Sequence, residues 1–308
     1  MFDRPLKTPV AFIIFKRPEE TQRVFAEIRK VQPSKLLVVA DGPRPDRPGE
    51  DTQCADTRAI IDQVDWECEV LQNYADRNLG CRQRVSSGLD WVFDTVEEAI
   101  IIEDDCLPDS TFFYFAEELL ERYRYDERIM SISGQNVQFG KQRADYSYYF
   151  SRYTHCWSWA SWRRAWRHYD LDMKLWPSVR DGNFLMDILG DAHAAKIWTK
   201  TCQLCYEGAI DTWDFQWTFA SFIQNGLNIL SNVNLAANIG HGTGGTHTDD
   251  INSPYNNMSV EPIAFPLKHP PFVIRDAQAD NFTQESLYDY DPKLVKKVQR
   301  KIKQLLSK

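Results

Sequence analysis

The chain has 308 residues, 43% of them apolar and 26% charged, with a formal net charge of −8. That composition is ordinary for a soluble globular enzyme, and no apolar stretch approaches the roughly 18 residues that span a bilayer. Residues 292–308 carry seven Lys or Arg and no acid, so the rest of the chain holds 29 basic against 44 acidic residues, a balance of −15 that argues against a nucleic-acid groove. Seven scattered cysteines, with Cys202-x-x-Cys205 as the one close pair and no second pair at zinc-ligand spacing, read as free thiols. Together with a start at Met1 to Pro9 that lacks a secretory pattern, they lead us to expect a cytoplasmic protein.

In chain order, the β-branched run Val10 to Phe15 predicts a strand, and Glu19 to Val31 a helix with Val24, Phe25 and Ile28 on one side. Lys35 to Ala40 is a second strand, stopped by Asp41-Gly42-Pro43, and Thr52 to Val64 is helical. Glu67 to Leu71 is a short strand, Arg82 to Thr95 a helix, and the run through Ala99-Ile100-Ile101-Ile102 a fourth strand. Such alternation implies right-handed crossovers and a mostly parallel sheet covered on both faces. In such sheets ligands bind where the strands end. Lys16-Arg17, Asp41-Gly42 and Glu103-Asp104-Asp105 should therefore converge on one edge.

The acidic triplet is the most telling of the three. Adjacent carboxylates repel one another unless a divalent cation, or a ligand carrying one, lies beside them. On a strand Glu103 and Asp105 point one way and Asp104 the other. The alternative is a solvated acidic turn before a helix that Asp109 would cap. No GxGxxG follows the first strand and no GxxxxGK[ST] loop is present, which removes the dinucleotide and P-loop readings. Arg17 instead offers a planar guanidinium for a carbonyl, carboxylate or phosphate. Asp41 offers an acceptor to a base or ribose. Arg82 and Arg84 open a helix after Gly80, where a diphosphate is favoured, although surface arginines are common too.

Thr8-Pro9-Val10-Ala11-Phe12, Asp41-Gly42, Glu103-Asp104-Asp105 and the helix after Pro108 resemble a GT-A-type nucleotide-sugar glycosyltransferase, in particular the N-acetylglucosaminyltransferase I group. The similarity covers roughly residues 8–135 and returns in patches to about residue 245. The resemblance implies a GT-A α/β fold in which Asp105 is the protein ligand of Mn²⁺ or Mg²⁺. It also implies that Asp104 faces the ribose, Glu103 a donor-sugar hydroxyl, and Arg17 and Asp41 the base region.

Residues 145–176 are dense in aromatics, from Tyr146 to Trp176. Most are expected in the core, with some free to stack on sugar rings. Within them, Ser158-Trp159-Ala160-Ser161-Trp162 resembles a Gly-Trp segment lining the family's site. Further on, Asp211-Thr212-Trp213-Asp214-Phe215-Gln216-Trp217 supplies a carboxylate for removing an acceptor proton. It resembles the family's Trp-Asp-Asp-Trp motif with Phe215 in place of the second Asp. Asp214 is the favoured base and Asp211 the alternative, unless Asp211 is a helix cap. The glycine-rich run 238–247 predicts a mobile loop with His241 as a phosphate or metal contact, His247 as a weaker one, and plain surface as the bland alternative. Residues 292–308 predict a basic amphipathic helix that either lies on an anionic membrane or packs its apolar face on the domain.

The sequence thus reads as a metal-dependent transferase moving a sugar from a nucleoside diphosphate sugar, a UDP-sugar foremost, to a hydroxyl on a glycan or lipid-linked acceptor, with inversion. Residues 1–135 form the donor half, 136–250 the acceptor half of the same domain, and 251–308 an extension. A sugar nucleotidyltransferase and a non-catalytic carbohydrate- or partner-binding module are the alternatives.

Overall fold

The computed structural model describes residues 4–240, 255 and 258–289. His241, His247 and the basic segment 292–308 lie outside them. Strands β1 (Val10–Ile14), β2 (Lys35–Ala40), β3 (Glu69–Tyr74) and β4 (Glu98–Glu103) alternate with helices α1 (Pro18–Val31), α2 (Glu50–Ala59) and α3 (Cys81–Thr95). β5 (Cys106–Pro108) leads into α4 (Ser110–Arg122), which Asp109 caps by accepting the Thr111 N–H at 2.8 Å. Next come β6 (Ile129–Ser133), β7 (Tyr148–Ser151) and β8 (Trp159–Trp162), then the helices α5 (Arg163–Trp166), α6 (Trp176–Asp181), α7 (Phe184–Leu189), α8 (Ala192–Tyr206) and α9 (Asp214–Ile223). The described chain closes with β9 (Leu227–Ser231), β10 (Ala236–Asn238) and α10 (Ala277–Thr283), which runs on into a π-helical turn (Gln284–Tyr288).

One eight-stranded sheet runs in the order β3-β2-β1-β4-β8-β6-β9-β7. It is parallel from β3 to β4 and again between β6 and β9, and antiparallel on both sides of β8 and at β7. The fold is α/β and Rossmann-like, with helices on both faces of the sheet. Alternation along β1 shows why. Val10, Phe12 and Ile14 pack with residues of α1 and α4 on one face, whereas Ala11 and Ile13 pack with α3 and with Trp213 and Trp217 on the other. All five side chains are buried, a strand with water on neither face. Helix α1 begins with Pro18 in its first turn beside Glu19 and Glu20 and ends on Arg29 and Lys30, which matches the helix dipole.

The aromatic stretch is mainly core. Trp159, Trp162, Trp166, Trp176, Tyr148, Phe150 and Tyr153 are buried, while Trp157, Tyr146 and Tyr149 keep partial exposure. A separate cluster joins α6, α7 and α8 to α9 through Trp176, Trp198, Phe219 and Phe222. Cys202 and Cys205 are buried there as free thiols. Among the described residues no helix is long and apolar enough to cross a membrane.

Candidate active site

The parallel register sets Ile13 beside Glu103 and Ile14 beside Ala40, so β1, β2 and β4 end together. The chain after β4 is stitched to β1 twice. The Asp104 N–H donates to the Ile13 carbonyl at 2.9 Å, and Asp104 Oδ2 accepts the Phe15 N–H at 2.9 Å. Arg17 follows from β1 and reaches across, its Nη1 3.5 Å from Asp104 Oδ1 and in close contact with Asp105 Oδ2. Lys16 turns away to Glu50 at 2.7 Å.

Burial works against the charge on Arg17, but Asp105 and Asp104 outweigh it and hold the guanidinium firmly protonated. One cation does not balance the site. Burial, then the Asp105, Asp104 and Asp214 charges, push Glu103 well above the carboxylate range, and burial with Asp105 pushes Asp104 up although Arg17 and the Phe15 N–H pull the other way.

Asp214 comes from the other half of the chain, at the first position of α9. Its Oδ1 accepts the Thr212 hydroxyl and the Phe215 N–H, the latter at 2.9 Å. No hydrogen bond among the described residues reaches Oδ2. Cys81, at the start of α3, marks the centre of the cluster: burial and the charges of Glu103, Asp214, Asp211 and Asp105 together keep its thiol protonated. Cys106 and Cys156 border the same carboxylates and are held as thiols by burial first. Sequence reading passed over these three, because a lone cysteine carries no pattern of its own.

Three expected site residues serve the scaffold. Arg84 is buried; Nε donates to the Ala40 carbonyl at 3.2 Å, and Nη2 to the Asn73 side-chain oxygen at 2.8 Å as well as to its carbonyl. Its guanidinium thus closes the ends of β2 and β3, which corrects the expected diphosphate contact. Asp41 is also buried. Its Oδ1 accepts the Gly42 and Leu79 N–H groups at 2.8 and 2.9 Å, and Oδ2 the Asn78 amide at 2.9 Å, binding two loops together. Gly42 is required beside it, since a Cβ there would lie 2.5 Å from the Arg77 nitrogen. Asp211 caps a helix, but not the one that follows it. Its Oδ1 accepts the Arg82 N–H at 3.0 Å at the start of α3, where Gly80 has a φ of +81° and no capping side chain of its own.

Two further features shape the mouth. Ser158 is fully buried with a left-handed φ of +50°, a conformation that glycine adopts without strain. The β10 strand pairs with β5, Asn238 opposite Cys106, and the Ile239 N–H donates to the Asp105 carbonyl at 2.7 Å. The glycine-rich run is therefore rooted against Asp105, where a Cβ on Gly240 would fall 2.4 Å from Oδ2.

Among the described residues no three His, Cys, Asp or Glu side chains are grouped to hold a metal by themselves. The residues present nevertheless fit a cation carried with a diphosphate. An excess of carboxylates surrounds Asp105, whose Oδ2 meets Arg17 and lies so close to Gly240 that only a residue without a side chain fits there. Mg²⁺-type sites in nucleotide enzymes need only one or two protein carboxylates, with phosphate and water completing the shell.

No protein-family model matches the chain, and no curated protein matches it. Among solved structures it is similar to UDP-glucose pyrophosphorylase complexed with UDP-glucose, with a TM-score of 0.40 and 9% identity over 73% of this chain and 90% of that one. A likeness of that size assigns no residue and no reaction.

Proposed function

We propose that the chain is a metal-dependent glycosyltransferase of GT-A type that takes a nucleoside diphosphate sugar, a UDP-sugar foremost, and inverts the sugar onto an acceptor hydroxyl. The observation that carries this reading is the meeting of Glu103, Asp104 and Asp105, at the end of a parallel strand, with Asp214 from the other half of the chain. Asp105 would hold Mn²⁺ or Mg²⁺, which when bound neutralises the diphosphate as the leaving group departs. Arg17, already set between Asp104 and Asp105, adds a fixed positive charge beside the phosphates. Asp104 and Glu103 would take ribose and sugar hydroxyls as acceptors. Asp214 keeps Oδ1 anchored and Oδ2 available, so it can receive the acceptor proton without changing its orientation. The turn at Ser158 lies beside Cys106, its hydroxyl 3.4 Å from the Cys106 carbonyl, and the half-buried Trp157 before it would offer a ring face to an acceptor sugar.

A nucleotidyltransferase would use the same nucleotide end of the sheet, but its phosphate chemistry calls for a glycine-rich, basic loop after β1. Here α1 begins at Pro18, directly after Arg17. The test is a thermal-shift screen of UDP-sugars with and without Mn²⁺, followed by product analysis. Stabilisation that needs both, with release of UDP on adding acceptor alcohols, is the expected result. Formation of UTP from a UDP-sugar and pyrophosphate would replace this reading by the nucleotidyltransferase. Binding without any turnover would leave a non-catalytic module.

A further inference from the structure

β7 is the outermost strand, and the segment around residues 268–276 runs beside it. Backbone hydrogen bonds fasten that segment at both ends of β7, the Ser147 N–H donating to the Lys268 carbonyl at 2.9 Å and the Asp276 N–H to the Phe150 carbonyl at 2.8 Å, and the Tyr148 hydroxyl also meets His269 Nδ1 at 3.0 Å. Between the fastenings β7 has two residues, 148 and 149, while the segment has seven, 269–275. The surplus cannot lie flat on the strand, so it arches away and encloses a cavity of about 570 Å³.

Three observations bear on what the cavity would hold. Its lining includes Lys141, Arg143 and Arg275 against a single acid, Asp276, on a body that is otherwise strongly acidic. Arg143 meets Asp276 at 3.3 Å and Arg275 meets Asp280 at 3.5 Å, while the Lys141 ammonium sits 3.5 Å over the Phe282 ring with no carboxylate partner among the described residues. The walls are aromatic and partly open: Phe272 and Ile274 are 48% and 65% exposed. The Tyr149 hydroxyl is buried without a hydrogen-bond partner among the described residues. Tyr146 and Phe272 meet edge to face, 6.1 Å apart at 89°. Such a corner has no parallel slot for a flat base, but it offers one ring face to the apolar side of a sugar and an edge to its rim.

We propose that this cavity is a binding site for an acidic carbohydrate, one whose carboxylate or phosphate meets Lys141 and Arg143 while its ring rests on Tyr146 and Phe272. Strands β4 and β7 are four positions apart in the sheet, so at about 4.8 Å per strand the cavity lies ~19 Å along the same edge from the acidic triplet. Only the further role, as the distal grip on an acidic acceptor glycan, rests on the glycosyltransferase reading.

Saturation-transfer NMR on the full chain tests it with glucuronic acid, glucose 6-phosphate and glucose. The site should bind one or both acidic sugars, the stronger of the two identifying the anion, and glucose on the order of tenfold more weakly, as expected for loss of one charge-assisted contact. Lys141→Gln and Arg143→Gln, tested singly and together, should weaken acidic-sugar binding by a similar factor while the Mn²⁺-dependent thermal shift with UDP stays at its wild-type value. Lys141→Gln breaks no ion pair, so it keeps the test open if Arg143→Gln unfolds the loop. Equal binding of glucose, absence of all three signals, or acidic-sugar binding that survives both substitutions overturns the proposal. Acidic-sugar binding that behaves as expected in a chain showing no Mn²⁺–UDP shift would sustain the cavity and remove the transferase reading.

Discussion

Asp211 and Asp214 are three residues apart, and replacing each should affect a different property. Asp211 is exposed, and its carboxylate takes one backbone donor, the Arg82 N–H at the start of α3. Asp211→Ala removes a helix cap, a loss of about 1 kcal/mol. For a chain of this length that corresponds to a fall in melting temperature of about 2 °C. Asp211→Asn retains an acceptor oxygen and should restore most of it. Asp214→Asn keeps Oδ1 for the Thr212 hydroxyl and the Phe215 N–H, so the start of α9 should hold and the melting temperature change little. It replaces Oδ2 with an amide that accepts no proton, so turnover should drop by a factor on the order of 10²–10⁴ with donor affinity near wild type. The assay is UDP release under saturating donor, with a melting curve on the same samples. Loss of turnover in Asp211→Asn with Asp214→Asn unaffected would refute the assignment, and full activity in both would place the base elsewhere.

Asp105→Ala should abolish Mn²⁺-dependent nucleotide binding in a folded protein, and Gly240→Val should do the same by driving a Cβ against Asp105 Oδ2 and displacing the carboxylate; calorimetry with UDP and Mn²⁺ checks both. Arg84→Met should cost roughly 2–4 kcal/mol in urea unfolding, because it removes the charge-assisted hydrogen bonds to Ala40 and Asn73 at the ends of β2 and β3, and residual folded protein should still bind nucleotide. His155 is buried, its Nε2 without a partner among the described residues, and burial holds its pKa down to about 4. Its imidazole stays neutral in the folded state while the unfolded chain takes up a proton below about pH 6.5. Its stabilising effect is therefore complete above that pH and is lost as the pH falls towards 4, by about 2 kcal/mol between pH 7 and pH 5. Urea titrations of wild type and His155→Gln at both values should differ in pH dependence by that amount.

Strands β1, β2 and β4 were legible because their apolar runs are buried on both faces, so pattern and environment agree, whereas the half-exposed edge strand β3 runs on to Tyr74, beyond the expected end at Leu71. Glu103-Asp104-Asp105 was legible because charge at the end of such a run is conspicuous. Arg84 was not, since position along the chain does not reveal that a guanidinium turns inward to strand-end carbonyls. Asp211 sits before what looks like its own helix, yet it accepts an N–H from the first turn of one 129 residues earlier. The arch beside β7 depends on two fastenings between distant segments, and no local periodicity records them. Ser158 carries a glycine-like backbone under a serine side chain, which only the fold exposes.

The cap that Asp211 places on α3 also bears on how the protein is made. Helix α3 belongs to the N-terminal half of the chain, but the Arg82 N–H in its first turn finds its acceptor only after 129 further residues have been synthesised. Likewise β5 has no pairing partner until β10 emerges. Contacts of such sequence separation form late and slowly, after many chain closures. A nascent or truncated chain ending before residue 211 would carry the acidic triplet still tied to β1 and Arg17, but without Asp214, β10 and the Ile239 contact to Asp105. Nucleotide binding, if it appears in vivo, should therefore report that the chain has folded nearly to its end, and growth conditions that stall translation should yield inactive rather than half-active protein.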